Sequence, residues 1–145
     1  MEVTKENIEF IKRRLKDYGY YTEAIRKSDI KLIELRERIK DCYKASGVSY
    51  DGILNSSDPN YSRTNELVNE EYSEVLYKEE LMKKRNHLAL DNLLNQLSNE
   101  QYDLIRLHYF EGYSQNYIAV NKQYKYIEAL KRKMKKTIVF LVKKY

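Results

Sequence analysis

The strongest constraint on the fold of this 145-residue chain is an apolar seam in its first third. Between residues 4 and 44, apolar or small residues recur in alternating steps of three and four, a pattern typical of a coiled-coil-like helix. A helix of that length extends for about 60 Å at roughly 1.5 Å per residue, so it needs a partner helix. The seam consists of Ile8, Ile11, Leu15, Tyr18, Tyr21, Ile25, Ser28, Leu32, Leu35, Ile39 and Cys42.

A second helix is predicted from 65 to 97, where Val68, Tyr72, Val75 and later apolar residues form another stripe. The intervening segment, 45–60, is rich in Gly, Ser, Asn and Asp and predicts a connecting loop. The two helices form either an antiparallel hairpin or a homodimer with the same helices of a second chain, and the sequence is compatible with both. Gly19 predicts a local weakening of the first helix, such as a bend.

The last third of the chain has short helices with well-marked ends. Ser98 and Gln101 form a capping box at the start of one helix, and Gly112 ends it because glycine readily adopts a left-handed conformation. Ser114 then caps a short helix, and Ala119 is small enough to let it cross another helix closely. With a last helix over 126–143, this pattern predicts a helix-turn-helix preceded by a supporting helix.

The predicted fold is therefore all-α with two domains. A long N-terminal helical hairpin or coiled-coil arm occupies 1–97, with its loop at 45–60. A C-terminal helix-turn-helix domain occupies 98–145.

The net charge of +5 is unevenly distributed. The last 25 residues hold nine basic residues against the single acid Glu128, which gives +8, whereas the first 120 hold 18 basic and 21 acidic residues, which gives −3. Such an asymmetry indicates that the C-terminal end binds a polyanion. Because the basic residues coincide with the helix-turn-helix pattern, we expect double-stranded DNA to be the partner.

The segment LSNEQYDLIRLHYFEGYSQNYIA, at 97–119, resembles the fourth conserved region of the housekeeping-type bacterial sigma factors. The resemblance covers about 95–140 and implies a domain that reads promoter DNA through its last helix and contacts RNA polymerase. The layout, with a long helical half before such a module, is similar to small phage late-gene transcription regulators of the ArpU and RinA type. The family's turn has the pattern LG.S, where this chain has Lys122, Gln123, Tyr124 and Lys125. No stretch resembles the sigma region that melts DNA.

These observations predict a set of DNA-contacting residues. Base edges are assigned to Lys125, Tyr126, Glu128, Ala129 and Arg132. The DNA backbone is assigned to Ser114, Gln115, Lys122, Lys131, Lys135 and Lys136.

Other residue types give no sign of chemistry. His87 and His108 lack partners at metal-ligand or catalytic spacing, and the glutamates of 70–80 mostly have lysines four residues on, as on a solvated helix face. Cys42 is the single cysteine and lies on the apolar seam. We therefore expect no enzyme activity, cofactor or metal. No apolar run is long enough to span a membrane, so the expected location is the cytoplasm of a bacterial host.

The sequence favours a phage- or prophage-encoded transcription regulator that reads promoter DNA together with host RNA polymerase. The alternative is a protein-interaction module that binds polymerase or another factor without contacting DNA. A purely structural coiled-coil scaffold ranks third, because a scaffold does not require the capped, glycine-broken end.

Overall fold

The structure, a computed structural model, describes the backbone of residues 1–46 and 59–145 and the side chains of 1–44 and 62–145. All regular structure in these ranges is helical, which confirms the all-α prediction. The helices are α1 (Lys5–Ser46), α2 (Pro59–His87), α3 (Asp91–Asn95), α4 (Asn99–Ile105), a π-helical turn (Arg106–Phe110), α5 (Gln115–Asn121) and α6 (Ile127–Lys144). None of the described helices is long and apolar enough to cross a membrane.

Helix α1 confirms the long helix predicted from the apolar seam. It begins after Thr4, whose Oγ1 accepts a hydrogen bond from the backbone N–H of Asn7 at 3.1 Å. Ile11 and Leu15 are fully buried, and the seam residues from Ile25 to Cys42 are buried as well. The seam therefore supplies the buried face along the length of the helix.

Contacts divide the chain into two compact units. The terminal unit comprises Met1–Glu23 and Lys83–Tyr145, and the middle unit comprises Ala24–Met82. These units differ from the predicted division between 97 and 98, because Ile11 and Leu15 share one buried cluster with residues from Leu90 to Val142. The two-domain division of the sequence stays a prediction.

In the middle unit, α1 and α2 run antiparallel. Their ion pairs show this direction, because Asp29 pairs with Lys78, Lys31 with Glu74, and Arg36 with Glu71. As the residue number rises along α1, that of the partner on α2 falls. Leu35, Ile39, Cys42 and Leu67 form a buried cluster between the two helices of this unit. The central part of the predicted loop, 47–58, lies outside the described residues.

Helix α2 ends earlier than the sequence predicted. The predicted second helix, 65–97, stops at His87, and α3 begins at Asp91. Ala89 lies between them with a φ of 59°, a left-handed conformation that interrupts the helix. Leu90, Leu93, Leu94 and Leu97 follow this turn at the i, i+3, i+4, i+7 spacing of one helix face, and all four are buried in the cluster that contains Ile11 and Leu15.

The terminal unit confirms the predicted helix ends. The Ser98 hydroxyl accepts from the N–H of Gln101, whose side chain in turn accepts from the N–H of Ser98. Gly112 has a φ of 79°. Between them the helix widens into the π-helical turn, in which the N–H of Glu111 bonds to the carbonyl of Arg106 at 2.9 Å. No pattern in the sequence predicted this π-helical turn.

Helix α1 continues through Gly19, which packs against the π-helical turn. A Cβ atom at this position would lie 2.8 Å from Phe110 Cα and 2.9 Å from the Tyr109 carbonyl oxygen. Glycine therefore permits a close approach between α1 and the backbone of this turn.

Candidate nucleic-acid interface

Helix α6 has one buried and one exposed face. Leu130, Met134, Ile138 and Leu141 follow a spacing of three and four, and all are buried. They pack in two clusters, one with residues of α1 and α3 and one with residues of α4 and α5. Because this side is fixed by the core, the basic residues of the same helix must face solvent.

Helix α5 and the turn after it position the start of α6. The Ser114 hydroxyl accepts from the N–H of Tyr117 at 3.1 Å and caps α5. Ala119 is buried against Leu130 and Met134, and its carbonyl accepts from the N–H of Tyr124 at 2.8 Å. In the turn, Gln123 has a φ of 60°. The structure thus places two helices on either side of a short turn, with a small residue at their contact.

Four of the predicted DNA-contacting residues are exposed cations on α6. Within 1–46 and 59–145, no carboxylate forms an ion pair with any of them. Arg132 contacts the backbone carbonyl of Glu128 at 3.4 Å. The spacing places these side chains in two neighbouring rows, one turn apart within each row. They are Lys131, Arg132, Lys135 and Lys136.

The predicted base-reading residues lie at the N-terminal end of α6. Tyr126 is the N-cap residue and is 62% exposed, and the Lys125 ammonium lies 5.5 Å from the centre of its ring, a cation–π contact. Glu128 is exposed and Ala129 is half-buried on the first turn. A ligand that meets the start of α6 therefore encounters an aromatic ring, a cation and an acid close together.

Three predicted backbone contacts already have partners within the chain. Lys122 forms an ion pair with Asp103 at 3.5 Å, and the Gln115 amide donates to the Met134 sulfur at 3.7 Å. Ser114 uses its hydroxyl to cap α5. The Ser114 hydroxyl can cap the helix and still face a phosphate. Lys122, in contrast, can bind a phosphate only if it leaves the Asp103 carboxylate or shares its ammonium between the two anions.

Lys133 is held by the chain's own groups, unlike its neighbours on α6. Its ammonium donates to Glu100, which also accepts from the Tyr124 hydroxyl at 3.0 Å. The hydrogen bond from Lys133 is the main cause that lowers the pKa of Glu100 below its usual value. The sequence analysis did not assign Lys133 to DNA, and in the structure its ammonium binds Glu100 of α4.

The sequence did not predict that α1 contributes basic residues beside α6. A groove of about 520 Å³, here called the basic groove, separates the start of α1 from one side of α6. Its basic lining residues are Lys12, Arg13 and Lys16 of α1 and Lys131 and Lys135 of α6. Only tertiary structure reveals this neighbourhood, because its two sides are more than a hundred residues apart in the chain.

A small aromatic and aliphatic surface lies on the outer side of α5. Tyr113 and Tyr117 stack with ring centres 4.6 Å apart. Tyr117 is 50% exposed and Val120 is 80% exposed, and their spacing places them on one helix face. Exposed apolar side chains grouped in this way are typical of contact surfaces.

The described residues hold no group of three or more His, Cys, Asp or Glu side chains arranged to bind a metal. Cys42 is a buried free thiol. His108 lies with Nδ1 at 2.8 Å from the Tyr113 carbonyl oxygen, so Nδ1 carries the proton that this acceptor requires. His87 is exposed.

No family model, curated protein or solved structure matches this chain. Function is therefore inferred from the geometry and charge of the described residues.

Proposed function

We propose that this protein is a DNA-binding transcription regulator that inserts the exposed face of α6 into a DNA groove. The observation that carries the proposal is the set of four exposed cations on α6, in two neighbouring rows, with no acid partner among the described residues. A helix that is fixed by its core on one side and presents basic residues on the other suits the major groove, which admits one α-helix.

The local geometry of 98–145 also supports a helix-turn-helix of the sigma-region type. Gly112 has a positive φ after the supporting helix, and Ser114 caps the next one. In the pattern that this chain resembles, glycine occupies the position of Gln123, and Gln123 adopts the positive φ that glycine favours. The turn therefore has the left-handed conformation that glycine favours, although Gln123 occupies this position.

Phosphate contacts would dominate the affinity. Each neutralised phosphate releases condensed counterions, so the logarithm of the binding constant falls with the logarithm of salt concentration by about 0.9 per contact. With Lys131, Lys135, Lys136 and one or two further groups in contact, we expect a slope of about −3.6 to −4.5. Lys125 and Arg132, near the start of α6, then read base edges, and RNA polymerase is the proposed protein partner.

Charge reversal tests this proposal. Lys125→Glu combined with Arg132→Glu should abolish binding to a fluorescein-labelled 30-base-pair duplex of mixed sequence while the far-UV circular dichroism stays that of a folded helical protein. The matched control is Lys27→Glu with Arg38→Glu, two exposed residues of α1 outside the candidate interface. If the α6 variant binds the duplex as well as the control, the proposal is wrong.

A milder variant tests the backbone contacts. Lys135→Gln with Lys136→Gln should make the salt slope shallower by about 2 and weaken binding to all duplex sequences by a similar factor. A change in which sequence is preferred, with an unchanged slope, would assign these lysines to base edges instead.

The second candidate function is a protein-interaction module that docks on RNA polymerase without DNA contact. The exposed Tyr113, Tyr117 and Val120 favour it. This function is supported if the wild type fails to bind duplex DNA but recovers polymerase from bacterial lysate. The Lys125→Glu, Arg132→Glu variant should then recover polymerase as well, whereas Val120→Glu should not.

A further inference from the structure

The basic groove carries an excess of positive charge. Five cations line it against one carboxylate, that of Glu9, which lies 3.4 Å from Lys12 in an ion pair. In the described part of the chain, Arg13, Lys16, Lys131 and Lys135 have no ion-pair partner. Like charges that face each other across a groove repel and raise its positive potential, so the groove favours an anion.

The shape of the groove indicates what kind of anion fits. Its volume of about 520 Å³ is many times that of a single phosphate-sized ion. Ile8, Met134 and Ile138 form apolar parts of its lining, between the basic residues. Lys12 and Lys16 are one helical turn apart, as are Lys131 and Lys135, so each side offers two cations with Cβ atoms roughly 6 Å apart. An anion with regularly spaced charges and less polar linking groups matches this lining.

We propose that the basic groove binds the sugar–phosphate backbone of the DNA flanking the site that α6 reads, so that α1 is part of the DNA-binding surface. This inference rests on the proposed DNA-binding function. Lys131 and Lys135 belong both to the exposed face of α6 and to the groove. The cationic surface therefore continues from α6 to Lys12, Arg13 and Lys16 without an intervening acid other than the paired Glu9.

The proposal makes the first turns of α1 serve two purposes. Their apolar side, with Ile11 and Leu15, is buried in the terminal unit. Arg13 and Lys16 are exposed and Lys12 is half-buried. Because these three side chains are not part of the buried cluster, they can be replaced by glutamine without removing core contacts.

Salt-dependent binding tests the groove. Lys12→Gln, Arg13→Gln and Lys16→Gln are combined in a groove variant, and Lys5→Gln, Lys27→Gln and Arg38→Gln in a control with the same change of net charge. Fluorescence anisotropy with the labelled 30-base-pair duplex is measured from 50 to 300 mM KCl. We expect the groove variant to bind at least tenfold more weakly than the control at 100 mM KCl, with a slope shallower by about 2 to 3. Equal affinities and slopes for the two triple variants overturn the proposal.

The α6 variant separates this inference from the proposed function. If Lys125→Glu with Arg132→Glu abolishes duplex binding but the groove variant binds like the control, α6 binds DNA and the groove does not. If neither set of changes weakens duplex binding, the proposed function fails as well. A groove variant that binds DNA like the control but no longer binds sodium tripolyphosphate overturns the proposal in favour of a small polyanion site.

Photo-crosslinking gives a readout that depends on position rather than charge. In a Cys42→Ala background, a single cysteine replaces Lys16, Arg132 or Arg38 and carries an aryl azide. Adducts with the duplex are expected from positions 16 and 132 and not from position 38. An adduct from position 132 without one from position 16 contradicts contact between α1 and DNA.

Discussion

The contact between Gly19 and the π-helical turn gives the sharpest prediction about stability. In an exposed helix, Gly→Ala raises the free energy of unfolding by about 1 kcal/mol, because alanine has the higher helix propensity. At position 19 the added Cβ would lie 2.8 Å from Phe110 Cα, 2.9 Å from Phe110 Cδ1 and 2.9 Å from the Tyr109 oxygen. Ordinary carbon contacts are about 3.5–4.0 Å, so α1 or the turn must move by more than half an ångström.

The net effect follows from two opposing contributions. Overpacking of a well-packed site costs about 1–3 kcal/mol, and two of the three close atoms belong to the backbone, which cannot rotate away as a side chain can. Because two of the close atoms are backbone, the cost should lie in the upper part of that range, about 2–3 kcal/mol, and subtracting the helix-propensity gain of about 1 kcal/mol leaves an expected loss of about 1–2 kcal/mol. For a chain of this size the melting temperature then falls by roughly 3–8 °C.

Urea and thermal denaturation, followed by circular dichroism at the helical band, measure this loss. Asp17→Ala, at an exposed position two residues away on α1, is the control and should change the free energy of unfolding by less than about 0.5 kcal/mol. Phe110→Ala, combined with Gly19→Ala, removes only the contact with Phe110 Cδ1. The double variant should therefore not reach the higher free energy of unfolding that helix propensity alone would give. If Gly19→Ala stabilises the protein by about 1 kcal/mol, the close approach of α1 to the turn is wrong.

Three further predictions concern the helix ends and a half-buried tyrosine. Ser114→Ala removes the cap of α5 and should cost about 1 kcal/mol in urea unfolding, whereas Ser73→Ala, exposed in α2, should cost nothing. Gln123→Gly should stabilise by about 0.5–1 kcal/mol, because glycine adopts the φ of 60° without steric cost, although its freedom favours the unfolded chain; a loss of stability contradicts this. Burial raises the pKa of Tyr109 to about 12, and the charge of Glu9 adds to the effect. The unfolded chain releases this proton near pH 10, so the free energy of unfolding should fall as the pH rises from 10 to 12. The fall should be less steep for Tyr109→Phe, and an equal dependence on pH in the variant and the wild type would contradict the raised pKa of Tyr109.

Features encoded by neighbouring residues were predictable from the sequence. The seam of α1 follows from its apolar spacing, and the ends of α4 and α5 follow from Ser98, Gly112 and Ser114, because capping and left-handed glycine depend on residues three or four positions apart. The buried and exposed faces of α6 follow from its periodicity in the same way. These local patterns were sufficient for the all-α prediction.

Features that depend on distant residues were not predictable. Ala89 adopts a left-handed conformation between α2 and the leucines that join the core, and no local pattern at an alanine indicates this. The pairs of Lys122 with Asp103 and Lys133 with Glu100 join elements that are separated along the chain. The same holds for Gly19, whose role is set by Phe110, and for the basic groove, where α1 meets α6.

The most direct test of the central claim is to observe α6 while DNA binds. In a two-dimensional ¹H–¹⁵N nuclear magnetic resonance titration with the 30-base-pair duplex at 50 mM KCl, the largest amide shift changes should fall on 125–136, with smaller ones near Ser114. Changes that are absent from 125–136, or that are largest in the middle unit, would contradict the claim that the exposed basic face of α6 contacts DNA.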